Sequence, residues 1–162
     1  MKAIRLLLVT VLCARLPQIA LGAEPSPTVS LESLSPGLAN KIVVSAVAEC
    51  TKRGYKVSAA VVGRDGNLLA FLRNPLSGPH TILVSQKKAY SASTLQARTS
   101  QMQSRPDLSF APGILLIVGG VPISLAGKFY GGVAVAGAEP AIDEKCAEAG
   151  ITAVQETLEF AQ

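Results

Sequence analysis

"KVSAAVVGRDGNLLAFLR", residues 56–73, decides the fold. Two β-prone runs flank Arg64-Asp65-Gly66-Asn67. Asp-Gly between such runs is a strong hairpin signal, because a tight turn needs positive φ and glycine takes it without steric cost. The stretch therefore predicts two antiparallel strands. Upstream, Ser35-Pro36 opens a helix with proline at its first position, where the missing N–H leaves no bond unmade. Leu38, Ile42, Ala46 and Glu49 keep the helical period, and Gly54 ends it. Downstream, residues 74–79 form a loop with two prolines and a glycine, and a second helix runs from about 80 to 98.

Polar "RTSQMQSRPD" leads out of that helix. "GILLIVGGVPISLAGKFYGGVAVAG" then reads as three further strands, split by Gly119-Gly120 and by Ala126-Gly127-Lys128. "AEPAIDEKCAEAGITAVQETLEF" closes the chain as a helical stretch divided near Gly150. The order α-β-β-α-β-β-β-α, with hairpins grouped and helices between and after them, predicts an antiparallel sheet covered by helices, an α+β domain. No internal repeat, low-complexity tract or second domain interrupts it.

The chain has 162 residues, enough to bury a real core, and is 49% hydrophobic. Much of the apolar excess lies in "MKAIRLLLVTVLCARLPQIALGAEP". Lys2 and Arg5 precede the run Leu6 to Ala14, and small residues follow at Ala20, Gly22 and Ala23. This pattern predicts a secretory leader over residues 1–23, a Pro-containing lead-in over 24–33 and the domain over 34–162. Arg15 makes the uncharged run far shorter than the roughly 20 residues of a spanning helix. Leu12 before Cys13 argues against a lipoprotein signal. A periplasmic or secreted location is expected.

The leader holds three of the 15 basic residues and none of the 11 acidic ones, leaving 12 against 11, about +1. The pI near 9.1 is thus largely a property of the precursor. Lys52-Arg53 and Lys87-Lys88 are short pairs, and there is no Trp. A nucleic-acid partner is excluded on these grounds. Without Cys13 the chain keeps Cys50 and Cys146, both on predicted helices. In an oxidising compartment they form one disulfide clipping the first helix to the last, or else remain two buried thiols.

"SAAVVGRDGNLLAFLR", "SQKKAYSA", "GGVPI" and "GKFYGGVAVAGAEPAIDEKCAEAGI" occur in this order and cover most of residues 34–155. On these stretches the chain resembles the GlcG/HbpS family of haem-binding-like proteins, related to the C-terminal domain of PduO. The resemblance implies a profilin-like fold with a five-stranded antiparallel sheet and packed helices. It also implies a homo-oligomer and, in some members, binding of haem or another tetrapyrrole. Many members carry a serine where this chain has Ala136, so that pocket hydroxyl is missing here.

His80 is the only histidine, one residue after Pro79 at the start of the second helix. The positive helix end disfavours an imidazolium there, and a neutral ring has a nitrogen free for iron or another metal. The alternative is a solvated histidine at a helix start. Thr81, Tyr90 and Met102 are further candidates for the same pocket. Lys88 matches the lysine of the family's "KA" pair, and Arg73 ends the second strand beside the same loop. Either would meet a haem propionate, or else lie on a solvated surface. Asp143 and Glu144, in the first turn after Pro140, complement the helix dipole.

No Ser-His-Asp arrangement, zinc spacing or phosphate loop is present, so no catalytic residue is assigned. The reading is an exported, homo-oligomeric binding protein with haem as its expected ligand. Its rivals are an accessory enzyme acting on a small hydroxy acid, and a structural or sensory oligomer with a membrane-protein partner.

Overall fold

The hairpin at residues 56–73 forms as expected in the computed structural model, which describes residues 26–160. Strand β1 (Ser58–Gly63) pairs antiparallel with β2 (Leu68–Arg73), with Val61 opposite Ala70. Gly66 takes φ +82° in the turn, and Asp65 Oδ1 accepts from the Asn67 backbone N–H at 3.1 Å. The leader lies outside the described residues. Residues 26–30 carry no helix or strand and fall outside the compact unit that begins at Leu31.

The remaining strands are β3 (Gly120–Leu125) and β4 (Lys128–Ala136). The sheet has the order β2-β1-β4-β3, and every neighbouring pair is antiparallel. It has four strands where five were expected, and the missing one is residues 114–118. The Leu115 N–H donates to Ser91 Oγ at 2.7 Å, and Gln103 Nε2 donates to the Leu116 carbonyl at 2.6 Å. Side chains thus take up part of the backbone that a ladder would have used. Gly119, at φ +123°, then turns the chain into β3.

Helix α1 (Pro36–Lys52) is capped by Ser35, whose Oγ accepts from the Leu38 N–H at 3.3 Å. Its buried residues, Ala39, Ile42, Val43, Ala46, Val47 and Cys50, recur at helical spacing and make one stripe. That stripe and α3 (Pro140–Thr152) cover one face of the sheet. Ala59, Val61, Val121, Ile123, Val133 and Val135 join them in the main core. The Cys50–Cys146 disulfide ties α1 to α3, with the Cα atoms 5.6 Å apart. The helical end of the chain breaks at Ala153-Val154, beyond Gly150, before α4 (Gln155–Glu159). Gly150 stays within α3 because it packs on α1: a Cβ there would lie 2.7 Å from the Ile42 carbonyl oxygen.

Helix α2 (Thr81–Leu95) lies on the other face, against β1, β3 and β4. It ends earlier than the expected residue 98 because Gln96 adopts φ +50°, a left-handed cap. Packing here is close. A Cβ on Gly132 would meet the Ala89 carbonyl oxygen at 2.4 Å, so only glycine lets the helix approach β4. Ala60, Val62, Ala89 and Ala134 form the small apolar cluster beneath it.

Candidate functional site

One flank of α2, beside the hairpin, lines a cleft. Leu83, Gln86, Lys87 and Tyr90 line it at spacings i, i+3, i+4 and i+7, one continuous strip of helix. The hairpin contributes Val62, Gly66 and Leu68, and the loop before residue 114 contributes Pro112 and Gly113. The volume is about 470 Å³. Such a volume suits a small molecule, since ligand sites run to roughly 300–1,000 Å³. Leu83 is 63% and Leu68 48% exposed, so the apolar wall faces water.

Tyr90 is the fixed point of this cleft. A Cβ on Gly66 would lie 3.2 Å from its Cε2, and one on Gly113 would lie 3.2 Å from its Cε1. Both glycines have positive φ, +82° and +86°, so bare backbone from two loops closes on opposite edges of the ring. Among the described residues the Tyr90 hydroxyl has no hydrogen-bond partner.

Lys88 points the other way. Its side chain is fully buried, and Nζ donates to Asp143 Oδ2 at 3.0 Å. Asp143 Oδ1 accepts from the Ala138 N–H at 3.0 Å. Burial pushes the Lys88 ammonium below its ordinary range and the Asp143 carboxyl above its own. This pair joins α2 on one face of the sheet to α3 on the other. The lysine on the cleft is therefore Lys87, one residue earlier and about 100° around the helix. Lys88 is not on a solvated face, and its charge is already partnered.

The other expected site residues stand apart from the cleft. Thr81 is buried, and its hydroxyl bonds Ser58 Oγ at 2.7 Å, Ser77 Oγ at 2.8 Å and the Gly78 carbonyl at 2.7 Å. Arg73 Nη2 donates to the Ser77 carbonyl, holding the loop before α2, while its buried Nε has no partner. His80 is exposed at the cap position of α2, makes no side-chain capping bond, and folds its ring over Gly78. It lies three residues before Leu83, beyond the end of the cleft-lining strip. Met102, in a 3-10 turn at Thr99–Met102, does not line the cleft either. The structure thus joins Tyr90 with Lys87, and leaves His80, Thr81, Arg73 and Lys88 outside. The spacing of 83, 86, 87 and 90 was the signal that could have found the cleft.

Among the described residues no three His, Cys, Asp or Glu side chains cluster for a metal ion. None of the described helices is long and apolar enough to cross a membrane.

A four-stranded antiparallel sheet sandwiched between helices, with a cleft on one flank of one of them, defines an α+β domain with a ligand-sized recess. The chain belongs to the HbpS-like family, described as haem degrading protein HbpS-like, whose pattern matches residues 34–152. It is 32% identical over 107 residues to protein GlcG of Escherichia coli K12, covering 63% of this chain and 80% of GlcG. The crystal structure of a double mutant of Streptomyces reticuli HbpS is 34% identical, with TM-score 0.75, over 82% of this chain and 94% of that one. A PduOC structure solved as a haem complex shares the fold at TM-score 0.69 and 18% identity, over 75% of this chain and 95% of that one.

Proposed function

We propose that this chain is an exported, homo-oligomeric binding protein for haem or a related tetrapyrrole, and that the cleft on α2 is its site. The observation that carries the reading is the cleft's make-up. Its walls are the Tyr90 ring and apolar side chains, and one cation, Lys87, stands among them. A flat apolar ring system bearing carboxylates matches that pattern: the ring displaces water from Leu83, Leu68 and Tyr90, and a carboxylate meets the ammonium. Haem brings four nitrogen ligands for its iron, so one protein side chain can complete the site without a metal cluster. The family's description and the haem complex of PduOC support the same ligand class. The leader-like N-terminus and the Cys50–Cys146 disulfide support export to an oxidising compartment.

Titration of the purified chain with hemin tests the reading. Saturable uptake with a shifted Soret band is expected. Leu83→Glu, which removes an apolar wall and sets a carboxylate against the propionates, should weaken it about tenfold or more. Absence of saturable uptake by the wild-type chain, as monomer or oligomer, would overturn the proposal.

A further inference from the structure

Resting on the tetrapyrrole reading of the cleft, we infer that the Tyr90 phenolic oxygen, rather than the His80 imidazole, is the protein ligand to a ferric iron held there. Three observations lead to it. The first is placement. Tyr90 lines the cleft, whereas His80 stands outside it with its ring on Gly78.

The second is availability. Among the described residues the Tyr90 hydroxyl has no protein hydrogen-bond partner, and it is not one of the buried unpartnered oxygens, so it is open to water or to a ligand. Thr81 and Lys88, outside the cleft, are committed elsewhere: the Thr81 hydroxyl bonds Ser58, Ser77 and Gly78, and the Lys88 amine donates to Asp143. The remaining polar side chains of the cleft are the neutral Gln86 amide and the Lys87 ammonium, both poor ligands for iron.

The third is rigidity. The backbones of Gly66 and Gly113 close on the two edges of the ring, and its para position, which bears the hydroxyl, lies between those edges. A ligand held by two loops loses little freedom on binding, which favours coordination. Lys87, about one turn earlier on the same strip, places a cation in the same cleft. On binding, the phenol O–H bond would break and an O–Fe(III) bond would form in place of the iron's water, hydroxide or chloride ligand, which leaves to solvent with the proton. No electron is transferred. A hard anionic oxygen prefers ferric to ferrous iron, so reduction should weaken the bond.

Wild type, Tyr90→Phe and His80→Ala are each titrated with hemin and with metal-free protoporphyrin IX. Ligation is read by visible absorption and resonance Raman spectroscopy, and folding by circular dichroism. Wild type should show an iron–phenolate charge-transfer signature. Tyr90→Phe should fold normally, lose that signature, bind hemin about tenfold or more weakly, and keep protoporphyrin IX affinity within about twofold. His80→Ala should match wild type.

A Tyr90→Phe protein with the wild-type ferric spectrum would overturn the assignment while leaving the tetrapyrrole reading intact. So would loss of ligation in His80→Ala. Failure of wild type to bind either porphyrin would overturn the tetrapyrrole reading itself.

Discussion

The two faces of the sheet are built differently. On one, α1 and α3 press Ile42, Val43, Val47, Val57, Val61, Val133 and Val135 into a broad aliphatic core, and a disulfide closes it. On the other, α2 buries Thr81, Ser85, Lys88, Ala89, Ser91, Ala92 and Ser93, small or polar residues that let helix and sheet approach closely. The first face gains its stability from apolar area removed from water, at about 25 cal/mol per Å². The second has little such area. It relies on satisfied polar groups: Ser93 Oγ donates to the Gly63 carbonyl at 2.9 Å, and Lys88 bonds Asp143. Leu83, 63% exposed, and Tyr90, which also packs on Ala60, Val62, Ala89 and Ala134, line the cleft. One face holds the domain together, and the other trades core for a site.

The strongest test of this division is the bond that crosses it. Asp143→Ala should destabilise the fold by about 3–5 kcal/mol in chemical denaturation, because it leaves the buried Lys88 ammonium without a counter-charge. Replacing both partners, Lys88→Met with Asp143→Leu, should instead be neutral or stabilising by up to about 4 kcal/mol.

The pKa directions explain the contrast. Asp143, raised from 3.8, contributes stability present below that pH and lost as pH climbs through its folded value. Lys88, lowered from 10.5, contributes stability present above that pH and lost as pH falls through its folded value. Burial is the first cause of both shifts and the partner's charge opposes it, so the double variant, which removes both titrating groups, should flatten the pH profile of unfolding.

On the aliphatic face, Cys50→Ala with Cys146→Ala should cost about 2–4 kcal/mol, since the bridge spans 96 residues and restrains the unfolded chain. A reductant should lower wild-type stability by a similar amount and leave the variant unmoved. Equal stability of wild type and variant under oxidising conditions would show that the bridge adds nothing to that face.

The smallest effect belongs to the cleft. Leu83→Ala, at a side chain 63% exposed, should change stability by no more than about 0.5 kcal/mol while weakening hemin uptake. A large loss of stability there would mean that the cleft-lining strip of α2 serves the core at Leu83 as well.

Reading the residues in order was enough for the hairpin, α1 and the α+β class, because each rests on local chemistry. Asp65-Gly66 makes its turn with its own neighbours, and Ser35 caps the helix three residues away. The fifth strand failed because "ILLIV" has the right propensity but its backbone is taken up by Ser91 and Gln103. The site was read less well, and α2 shows why. With serines and a lysine buried and a leucine exposed, it lacks the apolar stripe that would reveal which side faces in. The sequence therefore leaves Lys88 between a ligand carboxylate and a solvated face, when its partner is Asp143, 55 residues away. Tyr90 is legible as a candidate but its neighbours are not, because Gly66 and Gly113 reach its ring only when the hairpin and the distant loop fold against the same helix.

By itself the amino-acid sequence determined the order of elements, the turn residues and the family pattern, since these depend on dihedral preference and short-range bonding. Only the tertiary structure decided which lysine is buried, that Cys50 and Cys146 lie within bonding reach, and that a phenol stands free in a cleft. Those outcomes depend on distances between residues far apart in the chain, and close packing sets such distances where local preference cannot.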